Sequence, residues 1–437
     1  MRLVHFGDFP VATSSPDTAR LAAGLRGAFW TPERTPEGLR VSTHVLHTED
    51  GAAIVGYLNS RGGERSVVVT AHPREHSGAH YLVPELLDGG FAVWMQPPRS
   101  INNDLRLEHE MALYDLAAAL RALRDLGFEK IAVLGNSGGG ALWALYVQQA
   151  LAAPEQRIAT TPAGRPTGLA NATLPLPDAV AFVSAHPGQG AVLMNLIDPS
   201  VTDEHDAFSV DPALSPFEPG NGFEPPPASS HYAPAFLERY RAAQRARVER
   251  IDAFAREQVA ERAQARKRAK TTGSAADRAR AAYSPIFHVW RTDADPRCWD
   301  RSLDPSPRRY GSLWGGDPFV SNYGSVGFAR LCTPESWLST WSGLSTRASM
   351  ALCAPAVELP VLMVDYTGDN MVFPADAETL WRSIGSSDKR RVTIDGDHHG
   401  RPLRPGTDPR GEVGLALRGW LREQGFPTAI LNEACSR

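Results

Sequence analysis

Apolar positions along the chain fall into two trains of short β-prone runs alternating with amphipathic stretches. The first train opens with Thr43–His47 and Ala53–Leu58, which flank Glu49-Asp50-Gly51 and predict a hairpin. Ser66–Ala71 follows as a continuous β-branched run, the pattern of a strand buried on both faces. A helical stretch near Tyr81–Leu87 stops at Gly89-Gly90, and Phe91–Met95 reads as the next strand. Over 108–126, Met111, Leu113, Leu116, Leu120 and Leu123 hold the apolar positions of a helix closed by Gly127. Lys130–Leu134 is then a strand, Gly135–Gly139 a turn, 140–151 an alanine-rich helix and Asp178–Val183 another strand. The second train gives a strand at Val361–Asp365, a helix at 375–384, a strand at Arg391–Ile394 and a helix at 411–424. Strand–helix alternation of this kind predicts an α/β protein, with a mainly parallel sheet and helices on both faces. The second train completes the sheet that the first begins.

The pattern breaks between the trains, so the chain divides into 1–186, an insertion at 187–355, and 356–437. Proline and glycine crowd 211–229, which predicts a loop. Residues 234–269 read as one long helix, with Phe236, Tyr240, Val248, Ile251, Phe254 and Val259 on a stripe. A loop-rich segment bearing Trp290, Trp299, Trp314, Tyr323, Trp337 and Trp341 follows. A smaller polar stretch at about 155–175 reads as a surface loop.

Composition adds mainly exclusions. The 437 residues are 42% hydrophobic and 22% charged, which is ordinary for a globular chain. A net charge of −4 recruits neither nucleic acid nor an anionic membrane. No apolar run reaches 18 residues, and Met1–Asp8 lacks a basic-then-apolar leader pattern. Cys298, Cys332, Cys353 and Cys435 are scattered without CxxC spacing, as expected of free thiols in a reducing cytoplasm. Across 236–282, thirteen Lys/Arg stand against six Asp/Glu, a local charge of +7. That helix reads as a solvated face, as a partner or subunit contact through its apolar stripe, or as an attractor of anionic substrate.

The chemistry concentrates at Gly135-Asn136-Ser137-Gly138-Gly139, a G-x-S-x-G between an apolar strand and a helix. A serine on a strand-to-helix bend needs neighbours without side chains, which Gly135 and Gly139 supply. The following helix aims N–H groups at the bend, so the Gly138 N–H can support an oxyanion. A plain glycine-rich turn or a phosphate cradle is the alternative. The dinucleotide fingerprint fails because serine stands where its second glycine belongs, and no Gly-Lys-Ser/Thr makes a P-loop.

This segment, with the order of elements around it, resembles the nucleophile elbow of the α/β-hydrolase superfamily. The resemblance covers about 43–186 and 356–425 and leaves the middle unmatched. It implies a serine hydrolase with the partners of Ser137 on late turns. The turn Gly368-Asp369-Asn370 resembles the family's acid turn and nominates Asp369, with Asp365 at the strand end as the rival. The string Asp395-Gly396-Asp397-His398-His399-Gly400 resembles its histidine turn and nominates His398 over His399. The run His72-Pro73-Arg74-Glu75-His76 resembles the family's His-Gly turn with Pro73 in place of glycine. Proline lacks an N–H, so the second oxyanion donor falls to Arg74. In the family an insertion at this place folds over the site as a lid. Its aromatic residues then either line a pocket for an apolar or aromatic substrate portion or form the lid's own core.

The expected activity is cleavage of a small-molecule carboxylic ester through an acyl-enzyme, without cofactor or metal. Amide or thioester cleavage and acyl transfer share the same residues, and a silent small-molecule binder is the rival of another class. The enzymatic readings require Ser137 to be presented within about 6 Å of a histidine.

Overall fold

The computed structural model describes residues 34–75, 78–100, 104–325 and 327–429. The start of the chain, His76 and Cys435 lie outside the described residues. Eight strands form one sheet: β1 (Arg40–His47), β2 (Ala53–Ser60), β3 (Ser66–Ala71), β4 (Ala92–Gln96), β5 (Lys130–Asn136), β6 (Ala179–Val183), β7 (Val361–Tyr366) and β8 (Lys389–Ile394). Their order is β1-β2-β4-β3-β5-β6-β7-β8. The expected hairpin is β1–β2, with Val45 opposite Val55, and β2 also runs antiparallel to β4. From β4 to β8 every pairing is parallel.

Burial on both faces explains the continuous apolar runs. Val67, Val69, Ile131, Val133, Val180 and Phe182 point into one core. Their neighbours Val68, Ala132, Leu134, Ala181 and Val183 point into the other, as the two-residue period of a strand requires. Helix α1 (Val83–Asp88) covers the second face. The first face is covered by α2 (His109–Asp125), through Leu113, Leu116, Leu120 and Leu123, and by α3 (Gly139–Leu151). Helix α3 is apolar nearly all round because it is buried almost throughout, from Gly139 to Val147.

Beyond β6 come α4 (Gln189–Leu196) and the 39-residue α5 (Pro234–Thr272). The stripe on α5 is covered from within the insertion. Val248 and Ile251 pack with Trp314, Phe328, Trp337 and Trp341, and Phe236 and Tyr240 pack with Trp299. Charge on α5 is only partly solvated: Arg247 is fully buried, bonded to Glu204 and to the carbonyls of Asp198 and Trp290. The stretch at 155–175 is more than a surface loop, since Leu169, Ala172 and Leu174 close one edge of the first core. Helix α6 (Pro374–Ser383) follows β7, and α7 (Pro409–Glu423) follows β8 and packs on the second face. Among the described residues no helix is long and apolar enough to cross a membrane. Cys298, Cys332 and Cys353 are buried free thiols.

Candidate active site

Ser137 follows β5 at the bend into α3, with φ of +52°. This left-handed backbone is unfavourable for serine and persists only where the surroundings impose it. The glycines around it show how. A Cβ on Gly135 would lie 2.7 Å from the Gly140 Cα, and one on Gly139 would lie 2.3 Å from the Ala71 carbonyl oxygen. A Cβ on Gly140 would meet the Ala185 Cβ at 2.5 Å. Side chains at these positions would push the helix off β3 and β6 and open the bend.

The His398 Nε2 lies 3.0 Å from the Ser137 Oγ, across 261 residues of sequence. Its other nitrogen, Nδ1, faces both oxygens of Asp369 at 2.9 and 3.0 Å. Asp369 stands three residues beyond β7, where its Oδ1 accepts from the backbone N–H groups of Met371 and Val372. Burial alone would raise the Asp369 pKa. The adjacent His398, the Ser184 hydroxyl and the backbone donors outweigh it and hold the carboxyl below its ordinary value. The histidine turn is built by Asp397, whose Oδ1 accepts from the N–H groups of His399 and Arg401. Ser137 retains 7% exposure, against 1% for His398 and 2% for Asp369, so the hydroxyl opens only narrowly to solvent.

The rival residues are placed elsewhere. Asp365 pairs with Arg391 of β8 at 2.6 Å. The His399 ring lies edge-on to His398 at 5.1 Å, and its carbonyl accepts from Arg410. Gly138 stands between Ser137 and the first residue of α3, in the position expected of it, where helix N–H groups lack intrahelical partners. The structure gives Arg74 a different setting. Its backbone N–H donates to His72 Nδ1 at 3.2 Å, and so does that of Glu75 at 2.9 Å. Its guanidinium donates to the Gly327 carbonyl and lies over Phe328 and Trp341. The loop after β3 therefore turns the His72 ring, rather than the Arg74 amide, towards Gly138.

One residue at the site carried no sequence signal of its own. Ser184, directly after β6, has φ of +47° and donates its hydroxyl to Asp369. Its Oγ also lies 2.9 Å from His398 Nδ1. The only available hint was a polar residue at the carboxyl end of a parallel strand, where open α/β sheets place their sites. Among the described residues no group of three His, Cys, Asp or Glu side chains is arranged to hold a metal.

An antiparallel second strand, the crossover order of the central strands and a serine on a strained bend after β5 together decide the architecture. This is an α/β-hydrolase fold. No protein-family model matches the sequence, and a search of curated proteins finds no match. Among solved structures, the α/β hydrolase GrgF from Penicillium sp. sh18 is 13% identical with a TM-score of 0.47, over 89% of this chain and 100% of that one. The esterase domain of a Rhodothermus marinus protein is 13% identical with a TM-score of 0.40, over 88% and 99%. A truncated carbohydrate esterase from gut microbiota is 13% identical with a TM-score of 0.44, over 91% and 100%. At such identity what these proteins act on stays with them.

Proposed function

We propose that the protein is a serine hydrolase that cleaves a carboxylic ester through an acyl-enzyme at Ser137. One observation carries the reading: the Ser137 Oγ sits 3.0 Å from His398 Nε2, and Asp369 holds the opposite nitrogen of that ring. A serine hydroxyl attacks once a base removes its proton, and the imidazolium so formed needs a carboxylate behind it. In the proposed cycle the Ser137 Oγ bonds to the ester carbonyl carbon while its proton passes to His398 Nε2. The carbonyl oxygen becomes an oxyanion that the Gly138 N–H stabilises. The bond to the leaving alkoxide then breaks, and His398 returns the proton to it. Water, deprotonated by the same nitrogen, releases the acid and restores Ser137. Asp369 stays ionised throughout and orients the ring.

The segment between β6 and β7 acts in this reading as a lid over the site. Its ties to the core support that role: Arg74 to Gly327, Thr340 to the Leu107 carbonyl, and Arg297 to Asp376. Its tryptophans do not argue for an aromatic substrate, because Trp299, Trp314, Trp337 and Trp341 are packed in the segment's own clusters.

A fluorophosphonate probe tests the assignment. It should label Ser137 in the intact protein, located by peptide mass spectrometry, and should leave Ser137→Ala unlabelled. Equal labelling of both proteins sinks the assignment, and absence of labelling in both favours a silent binder.

A further inference from the structure

A cleft of about 780 Å³ lies between the insertion and the core. Helix α5 forms one wall, and the turn Asp104–Arg106, the start of α2 and the loop at 163–166 form the other. Its described lining residues include none of Ser137, Asp369 and His398. Small-molecule sites fall in the range of roughly 300–1,000 Å³, so the cleft has the size of one.

Five arginines line this space. Three already have carboxylate partners: Arg99 pairs with Asp50 and Asp115, Arg165 with Glu108, and Arg262 with Glu335. Among the described residues Arg106 and Arg266 have none, and both are exposed. Arg262 and Arg266 stand one helical turn apart on α5, a spacing at which like charges repel. Burial lowers the Arg262 pKa, and the charge of Arg266 lowers it further. Arg262 is 9% exposed, and its Nε has no hydrogen-bond partner among the described residues. A solvated face would spread its cations over open surface. Here two from the insertion and one from the core line a single cleft, and an anion between them would offset their repulsion.

We propose that the cleft binds a phosphate monoester of a small organic molecule, with its phosphate between Arg266 of α5 and Arg106 of the core. Two guanidiniums without carboxylate partners match a dianion, the form such a monoester takes above about pH 6. A single carboxylate would neutralise only one of them. The planar fork of arginine also fits two oxygens of a phosphate at once. Glu108 and Glu335 do not oppose the ligand, because Arg165 and Arg262 neutralise them. Met111, Val259 and Ala163 supply apolar wall for the organic part. A ligand held this way ties the insertion to the core. The inference is independent of the role proposed for Ser137.

Isothermal titration of the full chain with phenyl phosphate tests the site, at about 0.15 M salt so that diffuse fields are screened. One molecule should bind per chain. Arg106→Gln and Arg266→Gln should each weaken binding by about tenfold. Both side chains are exposed, and circular dichroism verifies that the variants fold. Arg239→Gln is the control, since it removes the same charge from the opposite end of α5, outside the cleft. It should leave binding unchanged. Benzoate, which lacks the second charge, and inorganic phosphate, which lacks the organic part, should each bind about tenfold more weakly than phenyl phosphate. Absence of saturable binding overturns the proposal. Equal weakening by Arg239→Gln does so too, because it reduces the effect to a general field. Benzoate or inorganic phosphate binding as tightly as phenyl phosphate rejects the monoester as the ligand class.

Discussion

The Ser184 hydroxyl donates to Asp369 while its oxygen lies 2.9 Å from His398 Nδ1, so one side chain touches both partners of that pair. Ser184 is 1% exposed and sits at a positive φ, and its contacts with Asp369 and His398 hold the hydroxyl in place. In the proposed mechanism a serine so placed acts as a positioning residue that holds the carboxylate in line with the imidazole. Ser184→Ala should therefore lower kcat by about tenfold with little change in KM, since a hydrogen bond to a charged group contributes about 1.5–3 kcal/mol. Steady-state kinetics on one ester check the split. A rise in KM at constant kcat would move Ser184 to substrate binding.

The two adjacent histidines give a sharper contrast. His398→Ala removes the histidine that, among the described residues, lies against Ser137 Oγ, and turnover should fall by about 10⁴-fold or more with the fold intact. His399→Ala should retain most activity, because the N–H and carbonyl that tie this residue to Asp397 and Arg410 belong to the backbone and survive the substitution. Circular dichroism and ester kinetics on both variants decide the matter. The reverse ranking would transfer the base to His399.

Much of this arrangement was legible in the sequence, for physical reasons that differ by residue. Ser137 announced itself because a tight bend forces glycine at Gly135 and Gly139, and spacing survives in sequence. Asp369 and His398 were nominated through chain order and resemblance, and the structure brings His398 to Ser137 and Asp369 to His398. The donor setting of Arg74 was not legible, because the folding-back of the His72 ring is a matter of side-chain conformation. Ser184 carried no signal, since its meeting with Asp369 comes from the approach of separate loops. The aromatic residues of the insertion showed the complementary difficulty. Hydrophobicity signals burial, but it does not say whether a tryptophan faces a substrate or its own neighbours.

Buried histidines make the protein acid-sensitive. Burial leads the causes that pull His80 to about 3, His109 to about 4 and His186 to about 3, and that place His72 well below 6.5. Each folded-state value lies below the unfolded value of about 6.5. Below that pH the unfolded chain takes up protons that the folded chain refuses. The stability these groups contribute is thus complete above about pH 6.5 and is lost as pH falls towards 4 and 3. Each histidine contributes a slope of up to about 1.4 kcal/mol per pH unit. Urea unfolding at successive pH values should show stability declining from pH 6.5 downwards, and His80→Gln should flatten that slope by about one proton. A curve level from pH 6.5 to 5 would contradict the burial of these rings as neutral groups.

The elbow's packing yields a comparison between two glycines. A Cβ on Gly139 would lie 2.3 Å from the Ala71 carbonyl oxygen, at the end of β3. That backbone cannot recede, because β3 is paired with β4 on one side and β5 on the other. Gly139→Ala must therefore displace the start of α3, and Ser137 and Gly138 with it. Overpacking of this kind costs about 1–3 kcal/mol, and the displacement should also lower kcat/KM. Gly419 is the control. It lies inside α7, and a Cβ there meets no atom within 4 Å. Gly419→Ala should stabilise the protein by about 0.5–1 kcal/mol through helix propensity alone, with activity unchanged. Chemical denaturation and ester kinetics on the pair separate the two effects. If Gly139→Ala were as stable and active as the parent, the close approach of α3 to β3 could not be what holds the serine at its bend.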